Sequence, residues 1–212
     1  MATLKVSEIF GPTFQGEGNT TGQYCSFLRL SGCNLKCSWC DTKYAAQGEF
    51  IEIREVLDRL FAMLPRRVVI SGGEPLLQQG YLQPVVDGLR EAGILVDIET
   101  NGTIIPTLKK VCQYNVSPKL RNACKNGIYQ GVLTWFATQT NCIFKFVCAN
   151  DSDVREVGGL GLEASKVWIM PEGMTTAALD ASLKAIIPTT LEYGYNLTDR
   201  LHIRLWGCKR GV

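Results

Sequence analysis

Short apolar-rich runs recur along the chain at residues 5–10, 24–30, 67–70, 94–99, 113–116, 143–148, 166–170 and 201–205, carried by Val, Ile, Leu, Phe and Tyr. Runs of this length bounded by Gly, Pro, Asn or Ser predict β-strands. Between them the period changes from two to about 3.6, the helical repeat. Ile53, Val56, Leu57, Leu60 and Phe61 share one face of a predicted helix over residues 53–63, and a second helical pattern over residues 82–92 ends at Gly93. A third covers residues 176–187, and Pro188 is expected to stop it, having no N–H to continue the ladder.

Strands separated by helices imply parallel pairing through right-handed crossovers, in an open doubly wound sheet or a barrel. At 212 residues the chain falls short of a full eight-unit barrel of about 250. The expectation is a single α/β domain over residues 1–212, an incomplete (β/α)6-like partial TIM barrel with parallel strands. Such folds bind ligands at the carboxyl ends of their strands. The polar segments 31–41, 71–75, 99–102, 117–119 and 170–173 all follow predicted strands, so they should converge on one site.

Composition narrows the classes. With 46% hydrophobic and 20% charged residues the chain is ordinary globular material, neither fibrous nor disordered. The 22 basic and 20 acidic side chains leave a formal charge of +2. That is no field to hold a phosphate backbone, and nucleic acid is not an expected direct partner. No apolar run approaches the roughly 18 to 20 residues that span a bilayer. The opening Met-Ala-Thr-Leu-Lys-Val-Ser-Glu has the layout of neither a secretory signal nor a transit peptide. A cytoplasmic protein without a membrane partner is expected.

Nine cysteines, odd in number and unevenly placed, make no disulfide framework. Cys33, Cys37 and Cys40 form CxxxCxxC directly after the predicted strand 24–30. Three thiolates on a short loop suit three corners of an iron–sulfur cubane, leaving one iron open for a substrate. The cysteines alone leave two other readings open. One is a zinc site, which normally takes four ligands, and the other is a redox CxxC of Cys37 and Cys40 that leaves Cys33 over. The sole histidine, His202, is distant in sequence. Cys25, Cys112, Cys124, Cys142, Cys148 and Cys208 fit no ligand spacing and read as small hydrophobes.

After the next strand comes Ser71-Gly72-Gly73-Glu74-Pro75, by itself an ordinary strand-to-helix turn with Pro near the helix start. Together, the cysteine loop with Trp39 before its last cysteine and this GGEP segment resemble the radical S-adenosylmethionine superfamily. The resemblance implies a [4Fe-4S] cluster whose open iron takes the amino and carboxylate groups of S-adenosylmethionine. It also implies a one-electron reductant such as flavodoxin or ferredoxin, and a 5′-deoxyadenosyl radical. Narrower matches follow. Glu8-Ile9-Phe10-Gly11-Pro12-Thr13-Phe14-Gln15-Gly16-Glu17-Gly18, Phe27-Leu28-Arg29-Leu30-Ser31-Gly32-Cys33-Asn34 and Leu201-His202-Ile203-Arg204-Leu205-Trp206-Gly207 look like the 7-carboxy-7-deazaguanine synthase family. Cys40-Asp41-Thr42, Glu99-Thr100-Asn101-Gly102, Ser117-Pro118-Lys119 and Met170-Pro171-Glu172-Gly173 agree. The likeness runs from Glu8 to Val212, with residues 121–141 matching no functional element.

That family contracts the ring of 6-carboxy-5,6,7,8-tetrahydropterin to 7-carboxy-7-deazaguanine with loss of ammonia, a step of 7-deazaguanine (queuosine/preQ0) biosynthesis. The resemblance implies pterin contacts at Phe14, Gln15, Gly16, Glu17, Arg29, Ser71 and the tail residue Val212, with Glu17 and Arg29 nearest the chemistry. Glu17 and Gln15 suit guanine-like ring edges, and Arg29 offers a charged fork to a carboxylate or ring oxygen. For S-adenosylmethionine it implies Trp39, Cys40, Asp41, Gly73, Glu74, Ser117, Pro118, Lys119, Met170 and Glu172, with Glu74 accepting from the cofactor's ammonium. For a magnesium ion it implies Thr42, and for the assembly a homodimer. The rival readings are a glycyl-radical enzyme activase, which would need a protein-docking surface, and a non-catalytic metal-binding module.

Overall fold

The computed structural model describes residues 2–212. Its strands are β1 (Thr3–Phe14), β2 (Tyr24–Leu30), β3 (Glu49–Glu52), β4 (Arg67–Gly72), β5 (Leu95–Thr100), β6 (Gln113–Val116), β7 (Cys142–Cys148), β8 (Val167–Pro171) and β9 (Asn196–Leu197). The helices are α1 (Ile53–Phe61), α2 (Gln79–Glu91), α3 (Gln130–Ala137), α4 (Asp151–Gly158), α5 (Thr176–Glu192) and α6 (Leu201–Trp206). The strands form one sheet of nine in the order β3-β1-β2-β4-β5-β6-β7-β8-β9, with β3 and β9 at its two edges. The sheet is therefore unclosed, as expected of an incomplete barrel. From β2 through β9 every pairing is parallel. The leading strand departs from the parallel expectation, since β1 runs antiparallel to both β2 and β3.

The period of two along the strands divides the sheet into two chemically different faces. Leu28, Leu30, Val68, Ile70, Val96, Ile98, Val116, Phe144 and Phe146 join the helices in one apolar core. Val56 and Leu60 of α1, and Leu82, Val85, Val86 and Leu89 of α2, cover it from outside. Phe136, Phe144 and Phe146 are fully buried, and each such ring contributes about 1.5–3 kcal/mol relative to exposure. The intervening residues Arg29, Ser71, Glu99, Lys145 and Met170 point to the other face and line a cavity.

Two further predicted elements differ from expectation, and β3, α3 and α4 have no predicted counterpart. Residues 201–205, which alternate like a strand, form helix α6, and the last strand is instead the two-residue β9. Only Ile203 of that segment is buried, while Leu205 is half exposed, so the alternation has no second layer to face. The backbone is satisfied locally through Arg204 N–H to Arg200 O and Gly207 N–H to Ile203 O. Pro188 does not stop α5, which runs on to Glu192. The proline is exposed there, and the helix ends at Gly194, whose φ is +66°. Finally, β5 and β6 are joined by a stretch without a regular helix, residues 101–112. Among the described residues no helix is long and apolar enough to cross a membrane.

Candidate active site

The cavity holds about 670 Å³, within the usual range for small-molecule sites. The loops after β2, β4, β5, β6 and β8 all reach it. A sixth contributor comes from the opposite direction: the β1–β2 turn folds across the cavity face. Gln15 Nε2 donates to Glu99 Oε1 at 3.0 Å, Asn19 Nδ2 to Gln113 Oε1 at 2.9 Å, and Gly18 N–H to Thr198 Oγ1 at 2.9 Å. The turn thus spans from β5 to the segment just past β9.

The cysteine loop is held by the turn that follows β4. Gly73 N–H donates to Leu30 O at 3.2 Å and Glu74 N–H to Gly32 O at 2.8 Å. A Cβ on Gly73 would lie 2.1 Å from Gly32 O and 2.8 Å from Cys33 Cβ, so only glycine permits this approach. Glu74 stands outside the cavity lining. It is fully buried, and its carboxylate already accepts from Leu76 N–H at 3.0 Å, Thr100 Oγ1 at 2.9 Å and Asn101 N–H at 2.7 Å. Burial raises its pKa against these donors. It therefore organises the site by joining two turns, without facing the cavity. Asn101 carries the link onward, donating to Asn34 Oδ1 at 2.9 Å beside Cys33.

Cys33, Cys37 and Cys40 all line the cavity as free thiols. Ser38 N–H donates to Ala123 O at 3.0 Å, which ties the loop to the segment that matched no functional element. Among the described residues no three of His, Cys, Asp and Glu converge on a single-ion site. Three separate thiols at one cavity wall fit a cluster with an open corner better than a closed zinc site. Trp39 Nε1 is buried there without an acceptor, so the same wall has a donor to offer a cofactor. Gly73, Ser117, Met170 and Glu172 also line the cavity, whereas Pro118 is buried outside its lining. Lys119 curls onto its own loop, donating to Ser117 Oγ at 2.8 Å, and burial lowers its pKa.

The remaining wall is charged. Arg29 and Ser71 are register partners on β2 and β4, and Arg29 donates to Ser71 Oγ at 3.4 Å. Its Nε pairs with Glu8 at 3.2 Å, and its guanidinium sits 5.7 Å over the Phe10 ring, which stacks on Phe27. Glu17 lies between two cations that sequence reasoning missed. Lys145, 3% exposed, donates to Glu17 Oε2 at 2.7 Å and Glu99 Oε2 at 2.8 Å. Arg200 Nε donates to Glu17 Oε1 at 3.2 Å. Burial opposes ionisation of Glu17, but Lys145, Arg200 and His202 outweigh it and hold the carboxyl below its ordinary range. The same carboxylates raise the pKa of Lys145 against its burial. Lysine inside an apolar strand, as in Ile143-Phe144-Lys145-Phe146-Val147, was the signal available, because an unpaired charge there is costly.

His202 stands on α6, not on a strand, 3.9 Å from Glu17 Oε1, and burial lowers its pKa. A Cβ on Gly16 would lie 2.2 Å from His202 Nδ1, so the glycine lets α6 close on the turn. Phe14 stacks on Trp206 at 6.5 Å, and Val212 lines the cavity. Thr42 donates its hydroxyl to Asp41 Oδ1 at 2.6 Å, which leaves its oxygen lone pairs for a hard cation. Cys25, Cys142 and Cys148 are buried as expected, and burial pushes the thiols of Cys25 and Cys142 up to about 12. Cys208 is exposed instead, donating to Met174 O at 3.1 Å.

Comparison with known proteins gives the family and the fold. The family model described as Radical SAM superfamily matches residues 28–119, which include all three loop cysteines and the GGEP turn. The 7-carboxy-7-deazaguanine synthase of Pyrobaculum aerophilum is 35% identical over 98% of this chain and 97% of its own length. That of Hyperthermus butylicus is 36% identical over 94% of this chain and 92% of its own. The crystal structure of QueE from Escherichia coli superposes with a TM-score of 0.75 at 25% identity, covering 94% of this chain and 95% of that one. By fold, cysteine loop and full-length similarity, the chain belongs to the 7-carboxy-7-deazaguanine synthase family of the radical S-adenosylmethionine superfamily.

Proposed function

We propose that this protein is a 7-carboxy-7-deazaguanine synthase, contracting 6-carboxy-5,6,7,8-tetrahydropterin to 7-carboxy-7-deazaguanine with release of ammonia. The observation that carries the reading is a single cavity lined both by Cys33, Cys37 and Cys40 and by Gln15, Glu17 and Arg29. When bound, a [4Fe-4S] cluster with S-adenosylmethionine supplies a carbon radical able to take hydrogen from an unactivated position.

The chain's own residues bind and orient. Cys33, Cys37 and Cys40 are the cluster ligands. Trp39, Asp41, Gly73, Ser117, Lys119, Met170 and Glu172 hold the cofactor, with Pro118 shaping its loop and Glu74 fixing the two turns. Gln15 and Glu17, held by Glu99 and Lys145, present fixed acceptors to the edge of a guanine-like ring. Arg29, beside Ser71, meets a carboxylate or ring oxygen, and the stacked Phe10 and Phe27 make an apolar wall beside it. Phe14, Gly16 and Val212 close the pterin end. Thr42 would be the protein ligand for a magnesium ion, which would supply a hard positive charge for the substrate carboxylate. Residues 1–212 act as one domain, a homodimer is the assembly, and a flavodoxin- or ferredoxin-like protein donates the electron.

Anaerobically reconstituted protein given reductant, S-adenosylmethionine, magnesium and 6-carboxytetrahydropterin is expected to yield carboxydeazaguanine by mass spectrometry. Release of 5′-deoxyadenosine with the pterin intact would keep the radical chemistry and remove the substrate assignment. Thr42→Ala is expected to raise the magnesium concentration needed for half-maximal rate, and an unchanged requirement would take Thr42 out of the metal site.

A further inference from the structure

Arg200, at the start of α6, is 6% exposed and holds three separate chain segments. Its Nε donates to Glu17 Oε1 at 3.2 Å, in the turn that faces the pterin end. Its Nη1 donates to Gly173 O at 2.9 Å and contacts Met174 Sδ at 3.5 Å, just past β8. Its Nη2 donates to Asp41 Oδ2, next to the cluster-loop residue Cys40. The other oxygen of Asp41 accepts from Thr42, so the chain of contacts runs from Glu17 through Arg200 and Asp41 to Thr42.

We propose that Arg200 is a positioning residue that holds the Cys40–Thr42 end of the cluster loop in register with Glu17, and so sets the separation between the radical source and the pterin. The inference rests on the function proposed above. Glu17 and Asp41 are like charges on segments distant in sequence, and left alone they repel. A planar guanidinium between them converts the repulsion into a bridge of fixed direction, which a lysine point charge does not supply. Lys145 already satisfies the other oxygen of Glu17, so Glu17 keeps a cation when Arg200 is replaced. What Arg200 adds is the tie to the cluster loop. Misplacement of reacting groups by about 1 Å costs on the order of a hundredfold in rate, so the tie should decide whether the radical reaches its target.

The test compares wild type with Arg200→Met, Arg200→Lys, Asp41→Asn and the Arg200→Met/Asp41→Asn double variant. Three quantities are read: iron content after reconstitution, 5′-deoxyadenosine released per carboxydeazaguanine formed, and affinity of the cluster-free protein for 6-carboxytetrahydropterin by pterin fluorescence. Arg200→Met is expected to keep its iron and bind the pterin within about threefold, while abortive 5′-deoxyadenosine per product rises about tenfold or more. Asp41→Asn should reproduce that rise and the double variant should add nothing to it, because both break one tie. Arg200→Lys should show the same rise with pterin affinity retained. An unchanged ratio in both Arg200→Met and Asp41→Asn, or effects that multiply in the double variant, overturns the proposal. Should Arg200→Met fail to take up iron, Asp41→Asn and Arg200→Lys decide by the same ratio. Wild type that forms neither 5′-deoxyadenosine nor product overturns the enzymatic reading itself, a different failure.

Discussion

At the scale of single residues, the site is an exercise in keeping buried charge paired. Lys145 sits on a strand buried along its whole length and faces the cavity, where Glu17 and Glu99 meet its ammonium from two directions. Removing one member of such a set leaves uncompensated charge. Lys145→Met is therefore expected to lower stability by about 3–5 kcal/mol in urea denaturation, whereas a loss below about 1 kcal/mol, the usual value of an exposed pair, would show that water replaces the ammonium. Glu17 links the same set to pH. Its folded pKa lies below the ordinary 4.5, so its contribution is complete above that value and fades as pH falls through and below it. Stability of the wild type should therefore drop below about pH 4.5 with a slope that Glu17→Gln reduces. Equal slopes in the two proteins would place the acid sensitivity elsewhere.

Turns between elements carry the second scale. The turn after β4 and the loop after β2 are zipped by two backbone hydrogen bonds, and Gly73 is the point of closest approach. Gly73→Ala puts a methyl carbon within 2.1 Å of a backbone oxygen, so the two loops must separate. The variant should fold, since the core lies on the other face of the sheet, but retain far less iron and sulfide after reconstitution. Full iron loading would mean that the cluster loop holds its shape without the GGEP turn. Element identities were unevenly legible. β2 and β6 match their expected bounds because each is a strand flanked by clear breaks. Residues 201–205 misread because Leu201, Ile203 and Leu205 alternate while only Ile203 finds a partner layer. Pro188 misread because a proline on the solvent side of a long helix loses one hydrogen bond without meeting a clash it cannot relieve.

At the scale of the molecule, the unclosed sheet brings the β1–β2 turn and the carboxyl-terminal residues to one cavity. The β1–β2 turn crosses from β5 to Thr198, Leu201 N–H donates to Gly16 O at 2.9 Å, and residues 207–212 line the rim. None of these last six residues belongs to the apolar core. Deleting residues 207–212 should raise KM for the pterin about tenfold, equivalent to about 1.4 kcal/mol, and shift Tm by less than about 2 °C. A large fall in Tm with KM unchanged would make the tail a structural strap.

Sequence by itself determined the chemistry and the class of fold. Cysteine spacing, the GGEP turn and the strand–helix alternation are local properties, set by chain stereochemistry and by the side chains present, and they can be read without knowing what touches what. Arg29, Ser71 and Gly73 were named through the family resemblance that these local segments carry. Tertiary structure alone decided which polar groups share a hydrogen bond or an ion pair. Lys145 with Glu17, Arg200 with Asp41 and Glu74 with Asn101 are each far apart in sequence, and their pairing follows from strand register and loop crossing. It decided too that Glu74 lies outside the cavity lining and Arg200 within it, because burial is a property of the packed sheet and not of the residue.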